Sequence, residues 1–423
     1  MTPPIVRRTP AALLLSVALL SACRSAPPDV APVPMAPAAT LVRAEPVDVG
    51  LAHDLGARLD SIAAAHLATG TAPGIAIAVG RHGRLVHMAG YGRTDFDEAS
   101  SPVTERTIYD MASLTKVIAT TTAAMILEAE GRIVLDSAVA YYLPEFGAAD
   151  PAKRAITVRM LLTHTGGLEA FARLYENGVR GRAQYLEQIA ARPMRGVPGG
   201  EMVYSDWDMI LLQLVIERVT SQSLDFFVAE RVFRPLGMTD TGFLPAQPDA
   251  SLRARIAPTE RDTTRGGLLW GTVHDGNAWA IGGVSGHAGL FSSAHDVATF
   301  AQMMLNNGRY GSVQLLSPQQ VARWTAPQLP GTSRALGWDT PSPPSSAGVH
   351  FGPRAYGHTG FTGTSMWMDP ERGLFVVVLA NRVNSRGMTT THVRLRREVA
   401  NAVQQAVLDA PLVTWEQPRA ETP

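Results

Sequence analysis

The 423-residue sequence contains one cysteine, Cys23, and two lysines, Lys116 and Lys153, so that 35 of its 37 basic residues are arginine. A single thiol excludes an internal disulfide and a thiolate metal site. Acidic residues also number 37, which leaves no net charge at pH 7. No overall field draws such a chain to nucleic acid or to an anionic membrane surface, and small-molecule or peptide substrates are the expected partners. Beyond the N-terminus no run of 18 apolar residues occurs, the length that a membrane-spanning helix needs. His-Glu-x-x-His is absent, and so is Gly-x-Ser-x-Gly, the turn that presents the nucleophile of α/β-hydrolases. The eleven histidines form no carboxylate-flanked cluster. Neither a metal nor a cofactor is therefore expected.

What is present begins with an export signal. Arg7 and Arg8 precede an apolar run from Ala11 to Leu20, too short to span a bilayer as a mature helix. The run ends in Leu20-Ser21-Ala22-Cys23, which resembles the bacterial lipoprotein signal. The resemblance implies removal of residues 1–22, lipidation of Cys23, and a periplasmic protein anchored to a membrane, the outer one favoured. Residues 23–49 are rich in Pro and Ala and read as a flexible tether. Residues 50–412 read as the folded domain and 413–423 as a tail.

Apolar residues at helical spacing from Leu51 to Leu67 are followed by two β-like runs, Gly74 to Gly80 and Leu85 to Gly90. A second hairpin is predicted from Thr364 to Met368 and Leu374 to Ala380, with a helix from Thr390 to Leu408. The two ends of the domain are thus expected to share one antiparallel sheet. Between them, from about Ala112 to Ser312, the pattern is mostly helical, with helices predicted at Leu114 to Ala129, Trp207 to Thr220 and Asp296 to Leu305. The fold class is α+β: an antiparallel sheet flanked by helices, with a mostly helical second subdomain.

Chemistry concentrates at Ser113-Leu114-Thr115-Lys116, which opens a helix. Residues three apart share a helix face, so Ser113 and Lys116 can touch. A serine hydroxyl attacks a carbonyl only once its proton has somewhere to go, and a lysine whose pKa is lowered can take it. Arginine cannot, and in a chain that writes positive charge as Arg, a Lys here suggests a need for deprotonation.

Val203-Tyr204-Ser205-Asp206 and His358-Thr359-Gly360-Phe361 follow in order. Together with Ser113-x-x-Lys116 they resemble the motifs of the penicillin-recognising serine hydrolases, namely class C β-lactamases, D-alanyl-D-alanine carboxypeptidases and their esterase relatives. Leu161 to Leu168, Gly283 to Phe291 and Leu336-Gly337-Trp338 add to the likeness, which covers most of residues 50 to 410. The resemblance implies a β-lactamase/transpeptidase-like fold and an acyl-enzyme on Ser113. Lys116 would accept the proton, and Tyr204 would serve the leaving group and the deacylating water. The N–H groups of Ser113 and Phe361 would form the oxyanion hole. His358, Thr359 and Gly360 would form the edge that receives a substrate carboxylate or polarises Tyr204.

Two positions depart from the commonest pattern. Asp206 replaces an Asn and lacks its amide donor for a substrate carbonyl; His358 replaces a Lys and offers a weaker, pH-dependent charge. A D,D-carboxypeptidase or esterase is therefore favoured over a β-lactamase, with a catalytically silent binding protein as the alternative of another class. His164 and His287 read as structural, His274-Asp275-Gly276-Asn277 as a pocket wall or a plain turn, and Trp207, Trp270 and Trp338 as an acyl wall or simply core.

Overall fold

The computed structural model describes residues 40–413 apart from 149, 245–247, 343–344 and 385–390. The export signal, Cys23, most of the tether and nearly all of the C-terminal tail lie outside the described residues. Among those described, no helix is long and apolar enough to cross a membrane.

Among the described residues the main sheet has six strands in the order Val42–Arg43, Arg84–Gly92, Gly74–Arg81, Leu374–Ala380, Ser365–Asp369, Tyr356–Thr359. Both predicted hairpins are present, and Ile77 pairs with Val378 where they meet. The two ends of the domain do share one sheet. Alternation sorts the strand Gly74–Arg81 between two cores: Ile75, Ile77 and Val79 enter one cluster, Ala76 and Ala78 the other. All eight of its residues are buried, because helices cover both faces.

Helices Leu55–Ala68 and Thr391–Gln405 pack on the first face through Leu55, Leu59, Leu395 and Val399. On the second face lies Ala294–Leu305, followed by the helical layer. Its central helix, Asp206–Thr220, buries every residue from Trp207 to Ile216.

Three features differ from the sequence reading. The fold starts before residue 50: Val42–Arg43 pairs in parallel with Arg84 and Leu85, and Val49 is fully buried. The Arg81 guanidinium holds that segment by donating to the Val49 and Gly50 carbonyls at 2.6 and 3.1 Å. The sheet is consequently mixed rather than wholly antiparallel; pairing by backbone leaves no mark on a Pro/Ala-rich composition. Next, the helix predicted from Leu114 is π-helical over Lys116–Thr121 before becoming α-helical over Thr122–Ala129, a widened turn that recurs at functional sites. Finally, Ile108–Asp110, Leu290–Ser293 and Gly242–Phe243 form a small antiparallel sheet, and Met111 N–H donates to Leu290 O just beyond it.

Candidate active site

That small sheet delivers the chain to Ser113 through a strained step. Ala112 has φ +45°, a left-handed conformation that a residue with a Cβ rarely adopts. Asp110, buried below it, accepts from Ala112 N–H at 2.8 Å and His274 N–H at 2.7 Å. Burial pushes its carboxyl up. The turn leaves Ser113 ahead of the π-helix, with Lys116 N–H bonded to the Ser113 carbonyl.

Lys116 is 1% exposed and its ammonium has three acceptors: Ser113 Oγ at 3.0 Å, Asp206 Oδ1 at 2.8 Å and the His287 carbonyl at 3.1 Å. Tyr204 lies beside it, the ring centroid 4.9 Å from Nζ. Burial presses the Lys116 pKa down, but the Asp206 carboxylate and Tyr204 outweigh it, and the group is pushed up to about 12. The expectation of a lysine tuned to lose its proton is thereby corrected. At neutral pH Lys116 is an ammonium ion with every N–H in use. Lys153 obeys the same rule: it is fully buried and donates to the carbonyls of Ile189, Ala190 and Arg192 at the end of helix Gly181–Ala191. Scarce lysine marks three-acceptor sites in this chain, where a compact head fits and a planar fork would not.

Tyr204 packs against two imidazoles, both tilted to its ring, 4.7 Å from the His164 ring and 5.9 Å from that of His358, with the Arg334 guanidinium 5.0 Å from its centroid. His358 Nδ1–H donates to the Thr359 carbonyl at 2.8 Å. Burial, reinforced by Arg334 and Lys116, holds its pKa well below the ordinary histidine range. His358 is therefore neutral at neutral pH, which corrects the expected pH-dependent charge. The fixed charge at this edge belongs to Arg334, which pairs with the Asp339 carboxylate at 4.0 Å and whose buried Nε and Nη1 have no hydrogen-bond partner among the described residues.

The turn carrying Gly360 and Phe361 is stitched to the segment that leads to Ser113. Thr362 Oγ1 donates to Asp110 O at 2.7 Å and Thr364 Oγ1 to Met111 O at 3.0 Å. A Cβ on Gly360 would sit 2.4 Å from Met111 O, so only glycine permits this approach. From behind, Arg396 donates to the carbonyls of Gly360, Gly363 and Thr364. Phe361 is 59% exposed at the mouth, between the rings of His274 and the Arg382 guanidinium, 5.7 and 4.1 Å from their centres.

The His274 to Asn277 segment lines the site rather than forming a plain turn. Asp275 Oδ1 contacts His287 Nε2 at 2.8 Å, and His287 Nδ1 contacts Ser285 Oγ at 2.8 Å. Burial favours a protonated Asp275, but His287 outweighs it and holds the carboxyl well below the usual range. Asp206, Asp275 and His287 each bring one ligand-type atom within 4.8 Å of the others, a cluster that their spacing along the chain does not announce. Lys116 and the Asp275–His287 contact already engage those atoms. Trp207 and Trp338 are core, 1% and 0% exposed, and Trp270 donates to Ile256 O.

The sequence motifs thus bring Ser113, Lys116, Tyr204, Asp206 and His358 together, with Thr359, Gly360 and Phe361 on the adjoining strand and turn. Arg334, Arg396 and the His287 carbonyl are not singled out as site groups by sequence reasoning, which offers Asp275 only as part of a pocket wall or a plain turn.

Residues 59–401 match the family described as Beta-lactamase. The chain is 36% identical over 346 residues to a protein of Escherichia coli (strain K12) named "Putative D-alanyl-D-alanine carboxypeptidase", covering 74% of this chain and 79% of the relative. Among solved structures, it resembles EstCE1, "a hydrolase with promiscuous acyltransferase activity", with TM-score 0.67 and 23% identity over 83% of this chain and 98% of that one. A class C beta-lactamase gives TM-score 0.66 and 17% identity over 82% and 96%. At these identities the two structures share the fold with this chain.

Proposed function

The chain belongs to the beta-lactamase family of serine hydrolases, and from that membership we propose that Ser113 forms an acyl-enzyme with peptides ending in a D-amino acid or with small esters. This is the work of a D,D-carboxypeptidase or an esterase. The observation that carries the reading is the 3.0 Å contact of Lys116 Nζ with Ser113 Oγ beside the Tyr204 ring.

Ser113 Oγ adds to the substrate carbonyl carbon, and the oxyanion rests on the N–H groups of Ser113 and Phe361. Tyr204 hands a proton to the leaving group and then helps activate the water that cleaves the acyl-enzyme. The Arg334 guanidinium, 5.0 Å from the centre of the Tyr204 ring and held by Asp339 only at 4.0 Å, suits a substrate carboxylate.

β-Lactam hydrolysis is the second reading, supported by the fold shared with a class C enzyme. Against it, Asp206 offers no amide donor and its carboxylate is engaged by Lys116. A silent binding protein would have no use for the Ser113–Lys116–Tyr204 arrangement. A fluorescent penicillin and p-nitrophenyl esters test all three, with Ser113→Ala as control. Ester turnover or a long-lived penicillin adduct, lost in the variant, is the expected result; fast β-lactam turnover reverses the ranking, and inertness to both probes defeats the enzymatic reading.

Export and a lipid anchor at Cys23 belong to the same proposal, supported by Leu20-Ser21-Ala22-Cys23. Labelling with a fatty-acid analogue in a bacterial host tests it: label on the wild type and none on Cys23→Ser is the expected outcome.

A further inference from the structure

The ammonium form of Lys116 raises a question of proton balance. With three N–H donors directed at three acceptors it has no lone pair for the Ser113 proton. It can accept that proton only by giving up one of its own. Of its acceptors, Ser113 Oγ is the reacting atom and the His287 carbonyl is an amide oxygen of negligible basicity. The third is a carboxylate, 2.8 Å away.

We propose that Asp206 is the proton acceptor of the acylation step and that Lys116 is the conduit. As Ser113 Oγ bonds to the acyl carbon and the carbonyl π pair moves to oxygen, the hydroxyl proton passes to Lys116 Nζ. In the same event Lys116 passes a proton to Asp206 Oδ1. Lys116 ends as the ammonium it began as, Asp206 becomes a carboxylic acid, and the charge lost there appears on the oxyanion. When the tetrahedral adduct collapses, Asp206 gives its proton back to Lys116 Nζ, which passes one to Tyr204 as the phenol protonates the leaving group. An asparagine could form the contact but could not hold the proton. The proposal rests on the acyl-enzyme reading above and adds a catalytic role to a position otherwise assigned to substrate binding.

The neighbours fit this role. Asp206 begins the helix Asp206–Thr220, so its side chain stands at the positive end of the helix dipole. Tyr204 lies beside Lys116 with Arg334 against its ring, His287 and Asp275 each bring an atom within 4.8 Å of Asp206, Asp208 is two residues along the helix, and His358 is neutral. Tyr204 is the rival acceptor.

The test is Asp206→Asn in the full chain, with acylation read as the burst of p-nitrophenol from p-nitrophenyl acetate between pH 6 and 10. Removing the carboxylate removes the main influence that raises the Lys116 pKa, while burial, which lowers it, remains. The variant should therefore lose about 10²- to 10³-fold at pH 7, the range of general-base effects. It should recover as pH rises and Lys116 becomes its own base, whereas the wild type changes little. A proton inventory in mixed H₂O and D₂O should report two protons in flight for the wild type and one for the variant. Asp206→Glu should restore part of the rate.

A wild-type burst rate in Asp206→Asn at pH 7 overturns the relay in favour of Tyr204, and a loss independent of pH reduces Asp206 to a structural part. A one-proton inventory in the wild type defeats the relay even if the variant does not fold. Ester turnover surviving in Ser113→Ala would instead defeat the acyl-enzyme reading itself.

Discussion

Asp208 Oδ2 lies 3.1 Å from His164 Nδ1, and the Ser205 N–H donates to that same ring nitrogen at 3.3 Å. A nitrogen that accepts from an amide carries no proton, so the carboxyl contact is a hydrogen bond only if Asp208 holds one. Burial pushes Asp208 well above its usual range and His164 well below, which agrees. Directly behind Tyr204 stands a neutral carboxylic acid bonded to a neutral imidazole.

Asp208→Asn should therefore be tolerated, because an amide N–H makes the same bond without taking up a proton. The wild-type acid, with its folded pKa raised, contributes full stability below its unfolded pKa near 3.9 and loses it as pH rises toward the folded value. The variant should gain on the wild type as pH rises. Urea unfolding at pH 4.5 and 8 measures this, and a variant less stable at pH 8 than at 4.5 relative to wild type contradicts the assignment.

The two lysines should separate chemistry from stability. Lys116→Ala should lower the ester burst at least ~10³-fold. Lys153→Met should leave kcat/KM within about twofold and destabilise the protein by roughly 2–4 kcal/mol, since three carbonyls, those of Ile189 and Ala190 buried, lose their donor. Burst kinetics and thermal unfolding on both variants decide it.

Arg396 is buried, and burial lowers its pKa to about 9, still charged at neutral pH. Its bonds run to the carbonyls of the turn that presents Phe361. Arg396→Met should shift that turn and cost about 10²-fold in kcat/KM, the scale set by small displacements at reacting groups. A variant that folds and keeps full activity would remove Arg396 from the positioning of this turn.

Arg334→Gln should raise KM at least tenfold for a peptide with a free C-terminal carboxylate and leave neutral esters within about twofold. Equal effects on both substrates would mean that Arg334 acts through Tyr204 rather than on the carboxylate.

The parts of this site that the sequence made legible are those fixed by local geometry. Ser113 and Lys116 are one turn apart, and both hairpins advertise themselves by alternation around short turns. Arg334 and Arg396 could not be found in this way. Each is one arginine among 35, and its meaning comes from the loop or helix that brings it to residues distant along the chain. His358 was visible, but its charge state was not, because burial and the nearness of Arg334 are tertiary facts. The parallel strand at Val42 was hidden for a similar reason, since backbone pairing makes little demand on composition.

The three acceptors of Lys116 come from far apart along the chain: Ser113 is three residues away, Asp206 ninety and the His287 carbonyl 171. Closing such long loops is the slow part of folding. A refolding chain should therefore regain its helices, and the fluorescence change of Trp207, before it can be acylated. The ester burst then serves as a clock for the last long-range closure, and the ammonium of Lys116 as the knot that this closure ties.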